Sequence, residues 1–272
     1  MKKWMILVLG LLCVFSWLCL TRQDSPRYLS EGQILQEPSQ PISPEITIPV
    51  VEEINARNRE LGAVMYMQIN LRLRDGAFRA RLGGSLTYEK PKNFSLDLWR
   101  GSSKELRLGS NDTYFWFWSK RMDPPAIFYC KHTDVSKSRL RPVFYPAWII
   151  ESLGVDEISL KDAQIELTDQ YCKIIHTRNS FKKTTLIDRH KKVIVGHYLH
   201  DNERLLVSSE ILDWESFSGF IFPTKMRVIW YEENVTLDWD LLHPGYRLDS
   251  YPPMYRSWKV PQGDLMIDMS EY

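Results

Sequence analysis

The sequence carries few of the features that identify an enzyme or a nucleic-acid-binding protein. Its formal net charge is only +1 over 272 residues. It therefore lacks the basic footprint that nucleic acid requires, and we expect no nucleic-acid partner. It contains no G-x-S-x-G elbow, no P-loop and no dinucleotide-binding glycine motif. These absences favour a protein that binds rather than catalyses, and we expect no cofactor.

Candidate metal and acid–base residues are sparse. His197 and His200 are three residues apart, and on a strand this spacing places them on opposite faces, so we expect no metal site. Asp238 and Asp240 share one face of a predicted strand, where paired carboxylates can perform acid–base chemistry. We expect them instead to be solvated on the outer face, and we identify no catalytic residue.

Cysteine is scarce, with four residues in the chain. Cys13 and Cys19 lie in the N-terminal apolar segment, whereas Cys130 and Cys172 lie in strand-like runs. In an exported protein the second pair can form a disulfide. A bridge needs the two Cα atoms within about 7 Å, so the sequence leaves open either a disulfide or two separate buried thiols.

The first twenty residues have the layout of a secretory signal. Two lysines precede an uncharged apolar run over residues 4–20. No A-x-A-like cleavage site follows, and the run falls within the roughly 17–25 residues of a spanning helix, so an N-terminal membrane anchor is the alternative. Lipid attachment at Cys13 or Cys19 is a third possibility, although Leu precedes each. The polar segment 21–46 is predicted to be a linker, so we expect an exported protein near a membrane.

A helix and a long series of strands are predicted after the linker. Residues 48–61 keep apolar side chains on one helical face. Residues 65–73 alternate strictly between apolar and polar, and Asp75 and Gly76 predict a hairpin turn. Further alternating runs predict about ten or eleven antiparallel strands, with a second short helix over 147–153. A sheet of this size curls or closes, and the helices would cover its apolar face.

Four segments resemble the LolA/LolB-like family of bacterial lipoprotein carriers and sorting proteins. Residues 65–73 form the alternating strand after the N-terminal helix, and residues 86–96 (LTYEKPKNFSL) are similar to the family's strand, x-K-P corner and strand. Residues 108–116 (LGSNDTYFW) resemble its next hairpin, and residues 219–225 (GFIFPTK) resemble the turn before its late strands. The resemblance extends over residues 48–240.

The resemblance implies a mainly β (α+β) fold, a strongly curved antiparallel sheet that forms an unclosed barrel covered by short helices. This domain would span residues 47–245, followed by an irregular C-terminal tail over 246–272. The family implies a location on the periplasmic side of the cell envelope, a cavity that holds a lipid or lipoprotein acyl chain, and no catalytic residues. The residues expected to line the cavity are Met65, Met67, Ile69, Leu71, Phe94, Leu96, Leu98, Met226 and Val228.

Two further sequence features could contact a partner. The aromatic run over 115–118 predicts either a strand buried on both faces or one with a pair on the cavity wall and a pair elsewhere. Arg72, Arg74, Arg79 and Arg81 form a predicted basic patch, which is either solvated or in contact with the anionic headgroups of a membrane surface. The alternative function is a structural or interaction module that docks an envelope protein without a lipid ligand.

Overall fold

Fourteen strands form one sheet in the computed structural model, which describes residues 47–60, 64–135, 137–138, 147–217, 220–246, 258–263 and 265–271. The helices are α1 (Thr47–Glu60) and α2 (Ala147–Glu151). The strands are β1 (Val64–Asp75), β2 (Phe78–Glu89), β3 (Asn93–Arg100), β4 (Ser103–Ser110), β5 (Tyr114–Ser119), β6 (Ile127–Lys131), β7 (Gln164–Leu167), β8 (Tyr171–Arg178), β9 (Phe181–Asp188), β10 (Val193–Asp201), β11 (Arg204–Phe217), β12 (Phe220–Trp230), β13 (Val235–Tyr246) and β14 (Met266–Asp268).

The sheet consists of two antiparallel meanders, β1 to β6 and β7 to β13. They are joined by the pairing of β1 with β13, where Leu71 lies opposite Trp239. The edges are β7 and β14, and among the described residues these two strands do not pair with each other. The predicted curved antiparallel sheet that does not close into a barrel is therefore confirmed.

Alternation along the strands gives the sheet two chemically different faces. We call the face covered by α1 and α2 the inner face, and the opposite one the outer face. In β1, Met67 and Ile69 are at most 1% exposed on the inner face, whereas Gln68 and Asn70 are exposed on the outer face. The turn at Gly76, with φ +54°, joins β1 to β2 as the predicted hairpin.

Both predicted helices are present, and each packs apolar residues on the inner face. In α1, Val51 and Ile54 are at most 1% exposed and belong to the main apolar cluster of the sheet. In α2, Trp148 packs with Leu199 and Val207, while Ile150 joins the main cluster. The two helices therefore cover two neighbouring regions of one apolar surface.

Two short strands were missed from the sequence. β7 has four residues and β14 has three, which is too few to show alternation. β14 lies within the segment that was expected to be irregular. It pairs in parallel with β6 and leads into a single 3-10 turn, in which Met269 packs against Phe115 and Phe117. Part of the C-terminal tail is thus an edge of the sheet.

The predicted signal or anchor over 1–20 and the predicted linker over 21–46 lie outside the described residues. Within the described ranges, no helix has the length and apolar character needed to cross a membrane.

Candidate functional site

The nine residues expected to line a cavity lie together on the inner face. Each is at most 4% exposed. Eight belong to the main apolar cluster with α1, and Val228 belongs to the neighbouring cluster under α2. Their gathering on one face follows from strand register, since Met67 lies opposite Leu86 and Leu86 opposite Leu96. In this structure the helices and the strands cover them.

Helix α1 is held to the segment that follows α2 by hydrogen bonds from its side chains to that segment's backbone. The Nδ2 group of Asn55 donates to the carbonyl of Ile158 at 2.9 Å, and the Oδ1 atom of Asn55 accepts from the Ile158 N–H at 2.7 Å. Asn58, which is 2% exposed, donates to the carbonyl of Asp156 at 2.8 Å. By contrast, Arg59 pairs with Glu157 on the surface. The segment after α2 therefore fixes α1 over the inner face.

A polar pair lies where β2 meets this segment. The hydroxyl of Tyr88 donates to Oδ1 of Asp156 at 2.6 Å. Burial raises the pKa of the Asp156 carboxyl above its usual range, and the hydrogen bond from Tyr88 opposes that shift. Burial also lowers the pKa of Lys90, whose ammonium donates to the carbonyl of Asn58. These contacts link β2, α1 and the segment after α2.

A row of polar residues crosses the inner face under α2. Thr185, His197 and Ser209 are cross-strand neighbours on β9, β10 and β11. The Thr185 hydroxyl and Nδ1 of His197 are 3.1 Å apart, whereas among the described residues Nε2 of His197 and the Ser209 hydroxyl have no hydrogen-bond partner. The row was not predicted. Alternation in β10 contained the signal, since it places His197 on the same face as Leu199.

The environment of His197 disfavours its charged form. Burial is the main cause and the nearby Lys183 ammonium adds to it; together they lower the pKa of His197 to about 3, against an opposing effect of the Glu151 backbone. The Lys183 ammonium itself contacts the Glu151 carboxylate at 2.5 Å and lies 5.9 Å from the centre of the Trp148 ring. The imidazole is therefore neutral at pH 7.

The expectation that Asp238 is solvated was wrong. Asp238 is 9% exposed, and its carboxylate accepts from Arg74 and from Arg227, each at 2.6 Å. Asp240 pairs with Arg72 at 3.2 Å. Pairing of β1 with β13 and of β12 with β13 brings these charges together. Two arginines of the predicted basic patch are therefore neutralised.

The aromatic run 115–118 forms the centre of β5, and three of its four rings are buried, whereas Trp118 is half-buried. The interpretation as a strand buried on both faces therefore holds for residues 115–117. Phe115 and Phe117 lie on the inner face, 2% and 4% exposed. Trp116 lies on the other face at 3% exposed, and its ring covers Gly109, where a Cβ atom would come within 2.4 Å of the indole. The run therefore serves the core of this part of the sheet.

The two cysteines are separate buried thiols. Cys130 lies in β6 and Cys172 in β8, and both are free. Burial raises the pKa of the Cys130 thiol to about 11, which keeps it protonated at pH 7. The disulfide alternative is thus excluded in this structure.

The sequence did not predict a groove on the outer face. We call it the outer groove; it crosses β13, β1, β2 and β3 and has a volume of about 360 Å³. Its lining residues are Tyr66, Gln68, Ile69, Asn70, Gly83, Gly84, Ser85, Trp99 and Leu242. Only the strand pairing of the whole sheet brings these residues together.

Comparison with known proteins shows likeness at the level of fold. No protein-family model matches the sequence, and no curated protein matches it significantly. The structure is similar to a DUF1329 family protein from Desulfovibrio piger, with a TM-score of 0.55 and 10% identity over 80% of this chain and 98% of that one. It is also similar to a putative outer membrane lipoprotein-sorting protein domain from Vibrio parahaemolyticus (TM-score 0.49, 11% identity, 74% of this chain and 92% of that one). A LolA superfamily protein from Nitrosomonas europaea gives a TM-score of 0.47 at 11% identity, over 72% of this chain and 93% of that one. The architecture expected from the sequence, a curved and unclosed sheet covered by helices, is confirmed, and the chain shares its fold with the DUF1329 family protein.

Proposed function

We propose that the protein is an extracytoplasmic, membrane-associated binding protein that shelters a lipid or lipoprotein acyl chain on the inner face. The observation that carries the proposal is a continuous apolar surface roofed by helices that are not part of the sheet. The sequence resemblance to lipoprotein carriers and the apolar N-terminal segment agree with it.

The inner face has the chemistry that an acyl chain requires. Each methylene removed from water contributes about 0.8 kcal/mol, and the surface offers apolar side chains from β1, β3 and β12. Met65, Met67 and Met226 are among them, and methionine adapts its flexible side chain to irregular contents. An acyl chain would take the place of Val51 and Ile54, so α1 has to move for the ligand to enter.

A second function is supported by the burial of these same residues. The predicted lining residues are at most 4% exposed because the protein's own helices and strands cover them. This arrangement also fits a structural or interaction module whose interior is filled by its own side chains and whose outer face docks an envelope protein.

Photo-crosslinking separates the two functions. The full-length chain is irradiated with a diazirine derivative of palmitic acid, and the labelled residues are mapped by mass spectrometry. We expect labels on inner-face residues such as Met67, Leu96 and Met226, with the neighbouring outer-face residue Gln68 as an internal control. Labelling confined to the outer face, or no labelling above that of an unfolded sample, would exclude acyl-chain shelter.

A pair of α1 variants tests whether the helix controls entry. Asn55→Ala removes two hydrogen bonds to Ile158, so we expect faster uptake of the fluorescent fatty acid cis-parinaric acid in stopped-flow measurements. Arg59→Ala removes only an exposed ion pair on the same helix and is the matched control. Equal uptake rates for the two variants would show that α1 does not act as a cover.

A further inference from the structure

The outer groove has a lining of neutral residues. None of the lining residues is charged. The two carboxylates beside it are held by cations: Asp97 accepts from Arg107 at 2.7 Å and from Lys104 at 3.0 Å, and Asp240 pairs with Arg72. A charged ligand would find no counter-charge in the lining, so the groove is suited to a neutral one.

Three polar side chains of the groove are available to a ligand. The side chains of Gln68, Asn70 and Ser85 make no hydrogen bond with any other described residue. Gln68 lies directly opposite Ser85, and Asn70 directly opposite Gly83. Two amides and a hydroxyl therefore offer both donors and acceptors in adjacent rows.

Aromatic rings and an absent side chain shape the same groove. Trp99 lines the groove opposite Gly83 across β2 and β3, with the Lys104 ammonium 5.3 Å from the centre of its ring. Tyr66 contributes a second ring one row beyond Gln68. A Cβ atom at Gly83 would meet nothing within 4 Å, so the missing side chain leaves the floor open. The negative face of an aromatic ring attracts the weakly positive C–H groups of a sugar ring. Amides, a hydroxyl and aromatic rings, with no charged residue among the lining residues, are together the recognition chemistry of a saccharide.

We propose that the outer groove binds a neutral saccharide, with Gln68, Asn70 and Ser85 bonding its hydroxyls and Trp99 contacting a ring face. The volume of about 360 Å³ is near the lower end of small-molecule sites, which suits a short oligosaccharide. The site lies on the opposite face from the proposed acyl-chain site and does not depend on it.

Nuclear magnetic resonance titration of the full-length chain tests the proposal. The ¹⁵N-labelled protein, kept in a zwitterionic detergent without a sugar headgroup, is titrated with cellotriose, chitotriose and maltotriose, and separately with tetra-alanine. We expect at least one of the trisaccharides to shift the side-chain amide signals of Gln68 and Asn70 and the indole signal of Trp99. A titration with monomeric octyl glucoside then distinguishes a lipid-borne sugar, which binds more tightly because of its alkyl chain, from a free glycan.

Two variants and a control make the result specific. Gly83→Leu places a side chain in open space, so the strand is kept and binding is lost. Trp99→Ala weakens binding about tenfold, or ~1.4 kcal/mol. Thr177→Leu introduces a leucine at an exposed position of β8, far along the sheet, and leaves binding unchanged. The proposal is overturned if no neutral trisaccharide shifts these signals, if tetra-alanine alone shifts them, or if Gly83→Leu binds as tightly as the unmodified chain.

Discussion

The burial of neutral His197 should make the free energy of unfolding fall in acid. Replacing His197 should remove this part of the pH dependence. In the unfolded chain its pKa is near 6.5, whereas in the folded protein burial and the Lys183 ammonium hold the pKa at about 3. Between these values the unfolded state binds a proton that the folded state does not. The free energy of unfolding therefore falls as pH decreases from 7 towards 3.

The magnitude follows from the two pKa values. The difference in proton binding lowers the free energy of unfolding by about 2 kcal/mol between pH 7 and pH 5, and by about 3 kcal/mol between pH 7 and pH 4. Other groups titrate in this range as well, so the comparison is made with His197→Gln. This variant has a neutral amide of similar size that can still meet the Thr185 hydroxyl.

Urea unfolding at pH 7, 5 and 4 measures the effect in both proteins. We expect the difference between the two proteins in free energy of unfolding to shift by about 2 kcal/mol from pH 7 to pH 5, as the linkage predicts. Parallel pH profiles of the two proteins would refute the reasoning, as would an imidazole resonance of His197 that titrates near pH 6.5 in the folded state.

Three substitutions test the packing and the polar contacts by the same unfolding measurements at pH 7. Gly109→Ala forces a methyl group into the ring of Trp116, and we expect a loss of about 1–3 kcal/mol. Asp238→Asn leaves two arginines without their carboxylate, which is partly accessible to water, and we expect a loss of about 2–3 kcal/mol. Asn55→Ala removes two hydrogen bonds to backbone and should cost about 1–3 kcal/mol. Its control, Arg59→Ala, should change stability by less than about 1 kcal/mol because the ion pair is exposed.

If Gly109→Ala leaves the urea midpoint of unfolding unchanged, the Trp116 indole does not lie against Gly109. If 0.5 M salt lowers the free energy of unfolding of the unmodified protein and of Asp238→Asn equally, the carboxylate is not held by the two arginines. If Asn55→Ala and Arg59→Ala are equally stable, the hydrogen bonds do not fix α1.

Local chemistry was sufficient to predict most of the inner face. The alternation over 65–73 reported which side chains of β1 face inward, because side-chain direction on a strand has a period of two. The turn at Gly76 was predicted for a similar reason, since its positive φ is a local requirement. The buried fate of Met67 and Ile69 therefore follows from a few neighbouring residues.

The residues that the sequence misjudged depend on distant partners. Asp238 has the alternation of an outer-face residue, yet it is buried because β13 pairs with β1 and brings Arg74 to it across 164 positions of the chain. His197 has the spacing of an inner-face residue, but its loss of charge depends on α2 covering it. A local sequence pattern predicts neither the register in which strands pair nor the place where a helix packs.

The local sequence pattern predicts a β-rich domain with one apolar face and one polar face, because hydrophobic periodicity is local. The choice of strand neighbours depends on the fold as a whole. The pairing of β1 with β13 and β2 set Gln68 beside Leu242 and Ser85, and so created the outer groove. Contacts of that kind form when the entire sheet buries its apolar face, and they are selected by the free energy of the whole fold.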